Sequence, residues 1–363
     1  MIPALDDDDL ASSNLRRRHH RCRLQHLMSG QSPSHARALR TTILRSVSRS
    51  FYLSIRFLPP QLRGPIALAY LLARTTDTVA DTTRIPGTVR METLKILSDG
   101  IQGKASQVVI NQVALFVPLQ ENAAERTLLD SLPDGLEWLK QIGGADRDDI
   151  RAVLEKITHG QILDLHCFNN PAQVRTLQTA ADLDEYTYLV AGCVGEFWTR
   201  LCFRHLRDFA SLIQDEMLAL GRRYGMGLQL INVLRDAGTD LRAGRCYFPE
   251  DELGALGLTA AQILSESDRF QPIYQRWMEK AQDGLECGMQ YSCAIRNRRV
   301  RAATVLPALI GARTLALLRK AGASALHQKT KVPRREVRAM ILSLAIHFAS
   351  RAKIDAIYNR AKL

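Results

Sequence analysis

Apolar residues recur at helical spacing along most of the chain. Ile43, Val47 and Ile55 share one face of a predicted helix that ends at the Pro-Pro pair 59–60. The same periodicity predicts helices at 65–81, with Pro65 in the first turn, and at 128–142, 150–168, 186–209, 212–241, 270–294, 302–318 and 334–358. Strand alternation with hairpin turns, internal repeats and a glycine-rich nucleotide loop are absent from the sequence. We therefore predict a single all-α domain over residues 36–363.

The first 35 residues have a different composition. Four aspartates at 6–9 precede an arginine- and histidine-rich cluster at 16–23, and a stretch rich in serine, glycine and proline follows at 29–34. Blocks of like charge with few apolar residues rarely pack into a core. We expect residues 1–35 to be a disordered basic leader.

The composition narrows the class of protein. Of the 363 residues, 46% are hydrophobic and 24% charged, which is typical of a soluble globular protein. Seven cysteines without a Cys-x-x-Cys pair predict free thiols in a reducing compartment, because an odd count does not suit a disulfide framework. No apolar run reaches the roughly 18 residues of a membrane span, and no secretory signal is recognisable. We predict a cytoplasmic protein.

The formal net charge of +12 suits nucleic acid, an anionic membrane surface or an anionic substrate. No helix-turn-helix, zinc module or aromatic RNA platform is recognisable, so we expect no nucleic-acid partner. Basic clusters occur at 16–23, 296–301 and 329–335. They favour peripheral contact with an anionic membrane, at its inner face.

Two aspartates lie side by side on the predicted helix at 65–81. One stripe along about three turns of this helix is formed by Tyr70, Arg74, Asp77 and Asp81. A Mg²⁺ ion held between carboxylates and substrate phosphates is the usual reason for such a pair, and an arginine beside it can hold a diphosphate. An exposed stripe of ordinary Arg–Asp pairs is the alternative.

The predicted helix at 212–241 carries a second polar stripe. It consists of Gln229, Asn232, Asp236 and Asp240. Leucine, isoleucine and valine cover the other faces between residues 228 and 234, so the helix should be buried and its polar stripe should line a cavity. Buried amides and carboxylates are costly without partners, so ligand, metal or water should satisfy them. Arg235 and Arg245 flank this stripe.

The segment 186–195 lies between the two stripes and combines small with apolar residues. It contains Tyr186, Val190, Gly192 and Val194. Glycine weakens a helix unless a close approach is needed there. The small residues either leave room for a long apolar ligand tail or let two helices pack closely, and the composition favours neither.

Five segments, in order, resemble those of the squalene/phytoene synthase family, the head-to-head (1'-1) trans-prenyltransferases. They are Ser48-Arg49-Ser50-Phe51, the stripe 70–81, the segment 186–195, the stripe 229–240, and Gly244-Arg245 with Tyr247-Phe248-Pro249. The resemblance spans roughly residues 40–320. Five motifs in the right order are far more specific than any one of them.

The resemblance implies an isoprenoid-synthase helical bundle around a central cavity. Two prenyl diphosphates, here two molecules of farnesyl diphosphate, would condense with each other in the presence of Mg²⁺, and diphosphate would be released. The resulting presqualene diphosphate would ionise again and rearrange, and hydride from NADPH would give squalene. The physics agrees, because a carbocation needs a dry apolar pocket with aromatic faces.

The resemblance also assigns roles to the candidate residues. The metal ligands would be Asp77, Asp81, Asp236 and Asp240. The catalytic residues would be Tyr186, Tyr70, Arg74 and Arg235. Substrate would be bound by Ser48, Arg49, Phe51, Arg74, Val190, Gly192, Val194, Gln229, Asn232 and Arg245.

Other functions stay open. The second candidate is phytoene or dehydrosqualene synthesis, which ends in proton loss instead of hydride transfer. It stays open because the acidic stripes give no information on the length of the substrate's hydrocarbon tail. The bulky Phe197 and Trp198 favour a shorter pocket. A non-catalytic relative that acts as an assembly factor is a further alternative, although such relatives commonly lose the aspartates. No dinucleotide fingerprint locates NADPH, and no feature distinguishes a monomer from an oligomer.

The sequence departs from the family pattern in three places. Thr239 stands where many relatives carry glutamate. His159-Gly160-Gln161 with Asp164 matches the family's Gly-Met…Asp helix only in part. The C-terminal membrane helix of the eukaryotic squalene synthases is missing, which suits a bacterial-type enzyme at the membrane surface.

Overall fold

Helices make up almost all of the regular structure. The computed structural model describes residues 43–104, 106–168, 173–347 and 349–363, without the side chains of 48–54 and 106, so the predicted leader lies outside the described residues. The helices are α1 Leu44–Phe57, α2 Pro60–Asp81, α3 Gly87–Ile101, α4 Ser106–Ala114, α5 Ala123–Asp130, α6 Leu132–Gln141, α7 Gly144–Cys167, α8 Ala180–Thr187, α9 Cys193–His205, α10 Gln214–Arg242, α11 Glu250–Ala255, α12 Ser267–Ala294, α13 Arg298–Ala321, α14 Arg334–His347 and α15 Arg351–Ala361. The predicted all-α class is confirmed.

One pair of short strands accompanies the helices. The strands β1, Arg175–Leu177, and β2, Arg245–Pro249, run parallel, and Arg175 lies opposite Arg245. The alternation rules for strands do not predict them, because each is too short to show a pattern. The pair joins the segment after α7 to the segment after α10, and it fixes the position of Arg245.

The observed helices differ from the predicted ones mainly at short breaks. α2 begins at Pro60, where proline suits the first helical position, so the prediction that Pro65 lies in the first turn is wrong. The predicted helix at 128–142 is two helices, α5 and α6, which meet at Ser131. A π-helical turn, Tyr188–Gly192, separates α8 from α9 inside the predicted helix at 186–209. The predicted helix at 334–358 divides into α14 and α15, and the apolar pattern does not predict α3, α4 or α11.

Buried apolar side chains form two clusters. The first comes mainly from α1 to α7 and α9, and Leu68 and Trp138 belong to it. The second comes mainly from α10, β2 and the helices that follow, and Leu234 and Trp277 belong to it. The six described cysteines are free, as predicted, and four of them are buried. The two polar stripes lie on helices that pack into different clusters. The apolar residues of α2 belong to the first cluster, and those of α10 from Tyr224 onward belong to the second.

One described helix is long and apolar enough to cross a membrane by composition alone. It runs over Arg298–Leu326, through α13 and the 3₁₀ turn after it, and 61% of its apolar window is buried inside the protein. The core helix of a soluble protein passes the same test. α13 packs against α12 and α15, so its apolar side chains have partners within the fold.

The contact between α9 and α10 depends on glycines. A Cβ atom on Gly195 would lie 2.0 Å from the Gly221 carbonyl oxygen, and one on Gly225 would lie 2.3 Å from the Ala191 carbonyl oxygen. Both neighbours are backbone atoms, so the whole chain segment would have to shift to make room for a side chain. α9 and α10 can approach this closely only because these positions lack a side chain.

Gly225→Ala is expected to destabilise the protein by about 3 kcal/mol, because α10 and the π-helical turn before α9 must separate to admit the methyl group. Denaturant unfolding followed by circular dichroism measures this loss. Gly254→Ala is the matched control, since a Cβ atom there meets nothing within 4 Å. Equal stability of the two variants would contradict the close contact.

Candidate active site

The first polar stripe lies on α2 and is tied to its neighbours. Arg74 donates from Nη2 to Oε1 of Glu125 at 2.6 Å, and its Nη1 lies 3.9 Å from Oδ2 of Asp77. Gln161 of α7 donates from Nε2 to Oδ1 of Asp77 at 2.6 Å. The hydroxyl of Tyr70 lies 3.5 Å from the Val47 carbonyl oxygen. α2, α5 and α7 therefore hold this stripe together.

The second stripe lies on α10. The amide of Asn232 donates to Oε1 of Gln229 at 3.2 Å. Arg235 donates two hydrogen bonds to the next residue, Asp236. Its Nε lies 3.1 Å from Oδ1, and its Nη2 donates to Oδ2. The opposite faces of α10 are buried, as predicted, by Leu230, Ile231, Val233, Leu234 and Ala237. The half-buried polar face is therefore the one available to a ligand.

Arg245 and Asp164 lie between the two stripes. Arg245, at the start of β2, has its Nη1 3.3 Å from Oδ2 of Asp164 on α7. The Tyr247 hydroxyl donates to the other oxygen of Asp164 at 2.5 Å. The positive charge of Arg245 acts to lower the pKa of both Asp81 and Asp240, so it lies near the ends of both stripes. The fold thus brings the two acidic stripes together around one arginine.

The carboxyl groups of the site hold protons more readily than usual. Burial raises the pKa of Asp77 to about 6, against the opposing charge of Arg74. Burial and then the charge of Asp236 raise the pKa of Asp240 to about 6. Burial also raises the pKa of Asp81 and of Asp164. The raised pKa values show that nearby positive charge does not fully offset the cost of burying these negative carboxylates. A divalent cation would supply the missing positive charge.

The residues present fit Mg²⁺ with diphosphate. No group of three or more His, Cys, Asp or Glu side chains in the described residues is close enough to hold a metal ion alone. Mg²⁺ usually binds one or two carboxylates together with water and substrate phosphates, so pairs of acids suffice. Oε1 of Gln161 is buried without a hydrogen-bond partner while Nε2 of the same amide holds Asp77. That oxygen is free to accept from a metal-bound water.

The affinity of the site for Mg²⁺ with inorganic diphosphate is expected to fall as the pH drops through about 6. Both folded-state pKa values lie above the ordinary 3.8, so the ionised form that binds metal dominates only at higher pH. Isothermal titration calorimetry between about pH 7.5 and about pH 5 measures the change. Diphosphate itself also takes up protons in this pH range. An Asp77→Asn/Asp240→Asn variant distinguishes the contribution of these two carboxyl groups to the pH dependence from that of diphosphate. Equal pH slopes for the variant and the parent protein would refute the prediction.

Aromatic rings adjoin the acidic centre. Tyr186, at the end of α8, stacks on Tyr247 with ring centroids 5.0 Å apart, and Phe168 meets Tyr247 edge-on at 5.1 Å. Burial raises the pKa of Tyr186, so its hydroxyl stays protonated. The side chains of Tyr247 and Gln229 oppose this rise in the pKa, so both lie near the Tyr186 hydroxyl. The Tyr186 hydroxyl can therefore donate toward an anion at the polar site.

An apolar cavity of about 310 Å³ is lined in part by α10, the helix that carries the second stripe. Its wall includes Ile55, Leu58, Val190, Val194, Trp198 and Leu228. The hydroxyls on the wall are occupied, since Tyr224 donates to the Thr304 carbonyl oxygen at 2.8 Å and the Tyr291 and Thr199 hydroxyls are 2.9 Å apart. The described wall therefore offers an apolar surface whose tyrosine oxygens are already engaged.

The structure distributes the segment 186–195 between two tasks. Val190 and Val194 line the cavity, whereas Gly192 faces α10, where a Cβ atom would lie 2.9 Å from Cγ of Met226. Room for an apolar ligand and close helix packing thus both occur, at different residues. Phe197 packs into the first core cluster, and Trp198 lines the cavity. Ser48, Arg49 and Phe51 lie on α1, but their side chains are outside the described residues.

Several residues of the site were given no role in the sequence analysis, although three of them, Gln161, Asp164 and Tyr247, lie in segments compared there with the family motifs. Asp164, Tyr247 and Gln161 contact the predicted residues directly, and Arg90 lies close enough for Asp81 and Asp164 to act on its pKa. The spacing of Gln161 and Asp164 by three residues on one helix was the available signal. Arg90 sits on α3, which the apolar pattern does not predict.

Comparisons with known proteins find phytoene and squalene synthases among the relatives of this chain. A bifunctional lycopene cyclase/phytoene synthase of Phaeosphaeria nodorum is 28% identical over 243 residues, covering 66% of this chain and 38% of that protein. A squalene synthase of Saccharomyces cerevisiae is 28% identical over 211 residues, covering 58% of this chain and 44% of that protein. The matched region is therefore less than half the length of either relative.

A solved structure has the same fold. The complex of TcSQS with its ligand E5700 superposes with a TM-score of 0.68 at 21% sequence identity, covering 90% of this chain and 97% of that one. The model of the squalene/phytoene synthase family matches residues 44–336, which include both acidic stripes and the segment between them. The chain belongs to the squalene/phytoene synthase family.

Proposed function

We propose that this protein joins two molecules of farnesyl diphosphate head to head, forms presqualene diphosphate and converts it to squalene. The observation that carries the proposal is that one helix, α10, contributes both to the acidic centre and to the wall of the apolar cavity. Leu228 lines the cavity, and Asp236 lies eight residues further on, about 12 Å along the helix. Such a site holds a diphosphate at one end and a hydrocarbon tail at the other.

The charged residues have separate tasks in the proposed reaction. The two aspartate pairs, Asp77 with Asp81 and Asp236 with Asp240, would hold Mg²⁺. The metal would supply positive charge that stabilises the departing diphosphate. Arg245 reaches into the space between the pairs and would orient the diphosphate through charge-assisted hydrogen bonds.

The aromatic and apolar residues would protect the carbocation. The rings of Tyr186 and Tyr247 stack beside the acidic centre, where a π face stabilises a nearby cation. The protonated Tyr186 hydroxyl would donate to the leaving diphosphate. The apolar wall of the cavity would keep water, which quenches a carbocation, away from the hydrocarbon tails.

The bulk of one residue on the cavity wall favours farnesyl over geranylgeranyl chains. Trp198 forms part of the wall and shortens the space open to a tail. Phytoene or dehydrosqualene synthesis stays the second candidate, and both phytoene and squalene synthases occur among the relatives. The first candidate reaction ends in hydride transfer from NADPH, and the second ends in proton loss.

Incubation of the purified protein with farnesyl or geranylgeranyl diphosphate and Mg²⁺, with and without NADPH, tests the proposal. We expect squalene from farnesyl diphosphate with NADPH and presqualene diphosphate without it. Phytoene from geranylgeranyl diphosphate would favour the second candidate. Neither a hydrocarbon nor presqualene diphosphate under any condition would refute both.

A further inference from the structure

Helix α14 exposes large apolar side chains. Leu342 and Ile346 are 63% and 64% exposed, and Ile341 is 40% exposed. On the other side of the helix, Leu344 is 5% exposed and belongs to the second core cluster. α14 is therefore docked on the protein by one face and presents an apolar face to the surroundings.

Exposed cations precede and follow these apolar residues along the chain. Arg334, Arg335 and Arg338 precede them, and Arg351 and Lys353 follow them at the start of α15. Residues 334–353 contain one acidic residue, Glu336. Its carboxylate is bound by Nε of Arg313 at 2.7 Å, which also ties α14 to α13. We call the eight exposed residues the α14 face: Arg334, Arg335, Arg338, Ile341, Leu342, Ile346, Arg351 and Lys353.

We propose that the α14 face docks the protein on the surface of an anionic lipid bilayer. A helix of this kind lies in the plane of the interface, with apolar side chains among the acyl chains and cations at the headgroups. The arginines and lysine meet anionic lipid at close range. The helix needs no large movement, because Leu344 and the Arg313–Glu336 pair already hold it with this face outward.

The charges argue against a second copy of the chain as the occupant. A symmetric dimer would place the same patch against itself. In a parallel arrangement the arginines at 334–338 would meet their own copies, and in an antiparallel one they would meet Arg351 and Lys353. Either arrangement brings like charges together, whereas an anionic surface complements both ends of the patch.

Vesicle flotation of the full-length protein tests the docking surface without substrate, so its outcome is independent of the proposed reaction. The vesicles are phosphatidylcholine alone, or phosphatidylcholine with roughly one-third phosphatidylglycerol. We expect binding to the anionic vesicles only. Arg334→Gln/Arg335→Gln/Arg338→Gln should weaken partitioning about 100-fold, at roughly fivefold per cation. Leu342→Gln/Ile346→Gln should weaken it at least about tenfold.

The control is Val108→Gln/Leu115→Gln, which removes two apolar side chains of similar exposure, 55% and 60%, from another part of the surface. It should bind like the parent protein. All variants keep the arginines of the leader, so binding that survives both α14 variants unchanged would place the contact there and overturn the proposal. So would the absence of binding, or a dimer in lipid-free sedimentation that Leu342→Gln/Ile346→Gln dissociates.

Discussion

Asp236→Ala is expected to lower the rate of condensation by at least about 10³-fold while leaving the fold intact. Asp236 is half-buried on the polar face of α10, and Arg235 is its partner. Without the carboxylate, the second stripe would lose one of its two proposed metal ligands, and Asp240 would be its remaining acid. Asp77→Ala should have an effect of the same size, because each pair would hold metal for the same diphosphate chemistry.

Steady-state production of presqualene diphosphate from farnesyl diphosphate measures the effect. Asp215→Ala is the matched control, since Asp215 is an exposed carboxylate in the first turn of the same helix, far from the polar stripe. It should keep the parent rate. If Asp236→Ala and Asp77→Ala retained full function in cells, the protein would act as an assembly factor and not as an enzyme.

Trp198→Ala is expected to shift the preference from farnesyl toward geranylgeranyl diphosphate by at least about 100-fold in the ratio of kcat/KM values. Trp198 is the largest side chain on the cavity wall, and its removal lengthens the space beside Val190 and Val194. The longer chain then fits without displacing the diphosphate from the acidic centre. Competition between the two substrates, with product chain lengths read by mass spectrometry, measures the shift.

Two further variants make this result specific to the cavity. Trp198→Phe should give an intermediate shift, because it opens less space. Phe197→Leu changes the neighbouring residue, which packs in the core and not on the cavity wall, so it should lower stability without changing the preference. An unchanged preference in Trp198→Ala would show that other residues limit the chain length.

The long helices were predictable because their periodicity extends over many turns. α10 shows this most clearly, since its apolar positions and its polar stripe can both be read from residues 228–240. The breaks were not predictable. The π-helical turn at Tyr188–Gly192 changes the register within an unbroken apolar pattern, and Ser131 interrupts a helix by local backbone geometry alone.

The convergence of the stripes could be expected only through the family resemblance. Helical spacing shows that Asp77 and Asp81 share a face, but not which other helix this face meets. Asp164 links the stripes because α7 packs against α2 and because β1 pairs with β2, bringing Arg245 and Tyr247 to it. These contacts join residues about 80 positions apart, beyond the reach of local patterns. Glu125, the partner of Arg74, depends in the same way on how α5 packs.

We propose that both acidic stripes serve one metal–diphosphate site and that the apolar cavity takes the hydrocarbon tail bound there. A crystal structure with Mn²⁺ and farnesyl thiodiphosphate, which resists ionisation, tests it most directly. We expect anomalous peaks at carboxylates of both pairs, Asp77 with Asp81 and Asp236 with Asp240, and a farnesyl tail beside Trp198. Metal at only one pair, or a tail outside the cavity, would contradict it.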